Sequence, residues 1–183
     1  KEITTGFQYG LTYLPLMVMQ EQKLVEKHGN GLKANWRVLN GPAPINDGLL
    51  AGSLHFGAVG TSSVVTLWAK TRKNLAIRLT GALSSMPMWL NAYNPNIKTI
   101  KDFSAKDKIA VTSIKVGVQA VTLQKAAADA FGATNFARLD PMTVGMSHPD
   151  AVVALLSGGS IAAHFATPPF QQQEMQQGKD RVH

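Results

Sequence analysis

The chain reads as an α/β protein of two similar lobes, each built on a mainly parallel sheet with crossover helices. Three observations predict this. Short apolar segments alternate with longer stretches of helical periodicity along the 183 residues. A long-range pattern also recurs: apolar helix, glycine, buried strand, small polar turn. Gly52-Ser53 marks one copy and Gly159-Ser160 the other, 159 − 52 = 107 residues later, and each is followed by a His-Phe pair, His55-Phe56 and His164-Phe165. A period this long describes two lobes, because solenoid repeats run to roughly 20–50 residues. Finally, polar turns such as Gly60-Thr61-Ser62-Ser63 follow the strands, and strand ends are where open α/β sheets bind ligands.

Taken in order, residues 2–7 form the first strand, with Gln8-Tyr9-Gly10 as the turn beyond. A helix is expected over 14–28. Leu14, Met17, Val18, Leu24 and Val25 share one face, and Pro15 is tolerated in the first turn, where its missing N–H has no helical partner. Residues 32–39 make the second strand, and Pro44 starts a helix that stops at Ala51-Gly52. A buried strand follows over 54–59, then a helix over 64–70 and a fourth strand over 75–80. Residues 88–93 read as a strand at the crossing between lobes, placed at about 88–96. Lobe one then takes residues 1–90 and lobe two residues 91–183.

The second lobe repeats the order. Strands are expected over 108–112, 136–139 and 161–165. Helices are expected from 116 to 131, from Ser147 onward and over 168–177. Ser147 is the N-cap of its helix, with Pro149 early and Asp150 three residues after the cap. Arg181-Val182-His183 looks like the start of a further strand.

Composition narrows the function. With 45% apolar and 16% charged residues the chain is ordinary for a globular protein, and no apolar run reaches the roughly 18 residues of a membrane span. There is no cysteine, so no disulfide, thiol nucleophile or thiolate metal site is available. The net charge of +7 is scattered, and only Lys70-Thr71-Arg72-Lys73 approaches a cluster; no nucleic-acid partner is expected. The histidines His28, His55, His148, His164 and His183 lack metal-ligand spacing, and His55 and His164, alternating with apolar strand residues, read as structural. No Gly-x-Ser-x-Gly elbow occurs, and Gly57-Ala58-Val59-Gly60 and Ser157-Gly158-Gly159 match no cofactor fingerprint. The expectation is a binding protein without cofactor, metal or catalytic group.

Four stretches resemble one family. Residues 13–28 are similar to its first helix, and residues 47–60, Asp-Gly-Leu-Leu-Ala-Gly-Ser-Leu-His-Phe-Gly-Ala-Val-Gly, to its sheet-and-helix signature. Ile100-Lys101-Asp102-Phe103 with residues 108–111 resembles its passage into lobe two, and residues 155–163 with Thr167-Pro168 complete the likeness. The family is the periplasmic substrate-binding proteins of ABC transporters, in the nitrate/sulfonate/taurine and thiamine-precursor-like group. His55 and Ala163 or His164 stand where that group usually carries an acidic residue.

The resemblance implies a two-lobed periplasmic-binding-protein-like (type II) fold with ligand closed between hinged lobes. It further implies a periplasmic or lipid-anchored extracellular location, a membrane permease as partner, no insertion into the membrane, a monomer, and a continuation past His183 that returns to lobe one. A thiamine-pyrimidine synthesis enzyme of the same fold and the ligand-sensing domain of a transcription regulator are the alternatives. The enzyme would want a histidine-rich or iron-binding region, and the regulator an N-terminal helix-turn-helix; neither pattern occurs.

The expected ligand site gathers the strand-end turns of both lobes: Gln8 and Tyr9, Gly41 and Pro42, Thr61 and Ser62, then Ser113, Lys115, Val116 and Thr167. Thr61 and Ser62 offer hydroxyls beside helix-start N–H groups, which suit the oxygens of a sulfonate or carboxylate. Lys115, pointing inward, would add a charge-assisted bond. Tyr9 and Trp89 would cover the ligand's apolar part.

Overall fold

The computed structural model describes residues 1–183. The first sheet contains β1 (Glu2–Phe7), β2 (Lys33–Val38) and β3 (Phe56–Gly57), in the order β2-β1-β3 and wholly parallel. Its helices are α1 (Leu14–Glu21), α2 (Leu24–His28), α3 (Pro42–Leu50) and α4 (Thr61–Thr71). The second sheet contains β4 (Trp89–Ala92), β5 (Ile109–Val111), β6 (Thr143–Gly145) and β7 (Ala163–Ala166), in the order β4-β7-β5-β6. Its helices are α5 (Val118–Phe131), α6 (His148–Leu156) and α7 (Phe170–Gly178).

The internal repeat is present in the topology. The parallel order β2-β1-β3 reappears as β6-β5-β7, and β1 meets Phe56 of β3 as β5 meets Ala163 of β7. Those partners are 163 − 56 = 107 residues apart. The two His-Phe pairs are not equivalent in this register. His55 is exposed before β3, whereas His164 lies inside β7 with no exposed surface.

Several elements differ from the sequence expectation, each for a local reason. The helix over 14–28 is split, because Lys23 adopts the left-handed conformation at φ 51° and α2 starts anew. Glu26 Oε1 then accepts from the Ala34 N–H at 3.0 Å, tying α2 to β2. The strand over 75–80 does not form. Thr71 takes the N–H groups of Ala76, on its carbonyl, and Ile77, on its hydroxyl, and Ala76 turns to φ 51°. These bonds draw the chain back onto the end of α4 and away from β3.

Residues 136–139 form turns, with Arg138 N–H on the Asn135 carbonyl and Asp140 N–H on that of Ala137. The strand beside β5 is β6, reached only after this corner. β3 is shorter than expected, yet His55 N–H donates to Thr4 and Ala58 N–H to Gly6, so the β1 ladder continues on both sides of it. The Ser147 cap is as expected: its hydroxyl accepts from the Asp150 N–H at 3.3 Å. At the other end His183 exchanges two backbone hydrogen bonds with Ala92 of β4.

The main core lies in the second half. Ile109 and Val111 of β5 pack with Leu123 and Ala127 of α5, Leu139 and Phe165. The first half is thinner. Phe7, Ile45, Leu54 and Leu67 are buried there, while α1 and α2 bury no residue fully. No helix is long and apolar enough to cross a membrane. Leu123→Ala should therefore lower unfolding free energy by about 2–5 kcal/mol, the usual cost of truncating a closed core. Leu79→Ala, at a side chain 68% exposed, should stay within about 0.5 kcal/mol. Urea titrations of both variants check this.

Candidate functional site

A cleft of about 770 Å³ opens between the two sheets. From the first half it is lined by Thr5 and Gln8 of β1 and its end, Tyr13, Pro42, His55 and the Gly60-Thr61 turn. The extended stretch from Ile77 to Met86 covers one side, pinned where the Ser84 hydroxyl donates to the Thr12 carbonyl at 2.7 Å. From the second half come Thr112, Val118, Gln119, His148 and Thr167. No carboxylate lines this cleft, and Arg78 is its one guanidinium.

The halves touch through strand-end turns. The Leu11 N–H donates to the Pro168 carbonyl at 2.9 Å. A Cβ on Gly41 would stand 2.4 Å from the Thr112 carbonyl oxygen, and one on Gly60 would stand 2.8 Å from Val118 Cβ. Only glycine allows these approaches. The Ser62 hydroxyl donates to the Val116 carbonyl at 2.8 Å, so it also serves this seam.

The residues expected to form the site are therefore divided. Gln8, Pro42, Thr61 and Thr167 line the cleft. Gly41 is buried behind Pro42 against Thr112, and Ser113 is buried with its carbonyl on the Gly117 N–H. Ser62, Lys115 and Val116 line a separate depression of about 490 Å³ between α4 and α5, which Thr61 also borders. Lys115 is exposed there, in the left-handed region at φ 65°. Tyr9 and Trp89 are 38% and 42% exposed and do not line the cleft.

Sequence reasoning missed Tyr13, Arg78, Thr112, Gln119 and His148. The repeat contained a signal for one of them: Gly41-Pro42 shifted by 41 + 107 = 148 becomes His148-Pro149.

Behind the second-half wall runs a buried polar chain. Thr112 Oγ1 lies 3.0 Å from Gln119 Oε1, and Gln119 Nε2 lies 3.4 Å from His148 Nε2. Thr167 Oγ1 is 3.1 Å from the same nitrogen. His148 Nδ1 lies 2.9 Å from His164 Nε2, and His164 Nδ1 bonds Glu174 Oε1. Asn91 Nδ2 donates to Glu174 Oε2 at 2.8 Å. His164 and Glu174 expose no side-chain surface, and the Phe170 ring stacks on His148 at 5.2 Å.

Burial, helped by the charge of His164, pushes the His148 pKa down to about 3. Burial likewise raises that of Tyr13. A histidine that binds its proton more weakly when folded than when unfolded stabilises the fold above its unfolded value of 6.5. That stability should be lost as pH falls from there toward 3, by at most about 1.4 kcal/mol per pH unit. Denaturant titrations across this window should show the decline in the parent chain and a shallower slope in His148→Gln.

No family model matches the chain, and no curated protein does. Solved structures do. The periplasmic aliphatic sulphonate binding protein of Escherichia coli is similar over 100% of this chain and 59% of its own, at 18% identity and TM-score 0.59. The alkanesulfonate-binding protein of Xanthomonas axonopodis pv. citri, bound to MOPS, gives the same coverages and identity with TM-score 0.68. The periplasmic nitrate-binding protein of Synechocystis is similar over 97% of this chain and 49% of its own, at 16% identity and TM-score 0.66. All three are described as binding proteins, and the chain spans about half to three-fifths of their length. At these identities the likeness is one of architecture: the chain has the two-lobed α/β fold of periplasmic binding proteins.

Proposed function

We propose that this chain is the ligand-enclosing part of an ABC importer's solute-binding component. It takes a small organic anion, sulfonate- or carboxylate-like, into the cleft between a lobe of residues 1–90 and a lobe of residues 91–183. The observation that carries the reading is the cleft itself, lined from both halves, without a carboxylate and with the Arg78 guanidinium on its wall. Such a lining favours a negative ligand, since a guanidinium matches oxyanion geometry and no carboxylate opposes it.

Two helix starts reinforce it. α4 and α5 follow Gly60 and Gly117 as N-caps, which give no side-chain cap, and Thr61, Val118 and Gln119 of their first turns line the cleft. Their free N–H groups add to the field that favours an anion. The solved structures of like fold that bind a sulphonate or nitrate agree with this choice of ligand.

In this reading the chain captures and releases without covalent chemistry. It works outside the membrane, as a periplasmic or lipid-anchored monomer, and hands its ligand to a permease. Gln8, Pro42, Thr61 and Thr167 contact the ligand, joined by Arg78, Thr112 and Gln119. Lys115 serves the outer depression.

Calorimetric titration with ethanesulfonate, acetate and nitrate tests this. At least one should bind with one-to-one stoichiometry. Arg78→Gln and Thr61→Ala should each weaken it by about ten- to a hundredfold, the worth of a hydrogen bond to a charged group, and Lys115→Ala should bind as the parent does. Loss of binding in Lys115→Ala with no effect of Arg78→Gln would move the site to the outer depression and overturn the reading.

A further inference from the structure

The buried chain behind the second-half wall reaches the cleft through Thr112, Gln119, His148 and Thr167. Its titratable members are His148 at the start of α6, His164 in β7 and Glu174 in α7. The elements packed around them add neutral groups: Asn91 of β4, Gln119 of α5, Thr112 after β5 and Thr167 after β7. His164 and Glu174 form the one ion pair in this region, and no lysine, arginine or aspartate bonds to the three. Across the cleft stand Tyr13, His55 and Arg78.

We infer that this cluster fixes the hydrogen-bond polarity of Thr112 and Thr167, so that with one proton shared between His164 and Glu174 both threonines donate to an anion in the cleft. The inference rests on the cleft being the anion site. A buried carboxylate without a counter-charge is strongly disfavoured, and one shared proton makes the cluster neutral.

The directions then follow from donor counting. Wherever that proton sits between His164 Nδ1 and Glu174 Oε1, His164 Nε2 carries a hydrogen and donates to His148 Nδ1 over 2.9 Å. His148 is thereby the Nε2–H form and donates to Thr167 Oγ1 over 3.1 Å. The Gln119 amide, turned so that Oε1 faces the ring, leaves its nitrogen to donate to Thr112 Oγ1. Each threonine hydroxyl now receives a hydrogen bond and keeps its own hydrogen for the ligand.

Removing the shared proton reverses the bonds from His164 Nε2 outward to the two threonines. Glu174 then accepts from His164 Nδ1–H, and His164 Nε2 accepts from His148 Nδ1–H. His148 Nε2 becomes an acceptor and takes the Thr167 hydrogen. Gln119 also donates to it and takes the Thr112 hydrogen on Oε1. Both threonines then show only lone pairs to the cleft, which repel an oxyanion. His148 itself stays neutral in both states, consistent with a pKa pushed down to about 3. His164 and Glu174 act as positioning residues, since neither lines the cleft.

Two measurements on the parent chain test this, with ethanesulfonate as probe. Nitrogen NMR of histidine-labelled protein at neutral pH should show His148 as the Nε2–H form. Calorimetry should show affinity falling by about tenfold or more as rising pH removes the shared proton, the worth of donors lost to a charged group. Titrations in two buffers of different ionisation enthalpy should find one proton taken up per anion in that range.

Glu174→Gln should flatten the profile; if it fails to fold, the parent measurements decide alone. A His148 in the Nδ1–H form at neutral pH, or a flat parent profile with Arg78→Gln still weakening binding, overturns the inference and leaves the anion site standing. No binding of ethanesulfonate at any pH overturns both.

Discussion

The two halves of this molecule meet backbone to backbone, at positions with no room for a side chain. Gly41 stands against the Thr112 carbonyl and Gly60 against Val118. The Leu11 N–H reaches the Pro168 carbonyl, and the Ser62 hydroxyl reaches that of Val116. Because these contacts lie at strand ends, they bring the loops that follow β1, β3, β5 and β7 around one space. The cleft of about 770 Å³ is the gap left between contacts of this kind. Bulk at Gly41 or Gly60 would wedge the halves apart and dissolve the cleft without touching either sheet. The same seam uses Ser62, which explains why a hydroxyl at a helix start does not face the cleft.

The halves contribute unequally. The second carries the larger apolar core and, beneath its cleft wall, the run from Thr112 through His148 to Glu174. A buried polar chain is costly unless every member is bonded, and here the ring nitrogens of both histidines and both carboxylate oxygens have partners. That satisfaction makes the second-half wall stiff. The first half is more open. Val65, Trp68 and Leu79 are about half exposed or more, on α4 and the stretch that closes one side of the cleft. One wall of the cleft is thus tightly bonded and the other more open.

Much of this architecture was legible in the residues. The 107-residue offset carried the topology, because equal spacing between a helix, its glycine stop and a buried strand is what identical β-α-β connections require. The Ser147 cap was legible because capping is local chemistry. What was hidden depends on partners distant in sequence. The apolar run at 75–80 reads as a strand until Thr71 takes its N–H groups. Lys23 gives no compositional sign of its left-handed turn. Lys115 sits at a strand end as expected, but its positive φ places it at the outer depression. His148 reads as one more helix-start residue until His164 and Glu174, sixteen and twenty-six positions on, are brought beneath it.

The proposed function requires that the space between the sheets enclose one small anion. Native mass spectrometry of the protein, purified gently from the cells that make it, tests this most directly. A single acidic small molecule should be bound one to one, released on denaturation, and missing from a Thr112→Val, Gln119→Leu double variant that folds normally. A ligand retained equally by that variant, or a bound molecule that is cationic, would contradict it.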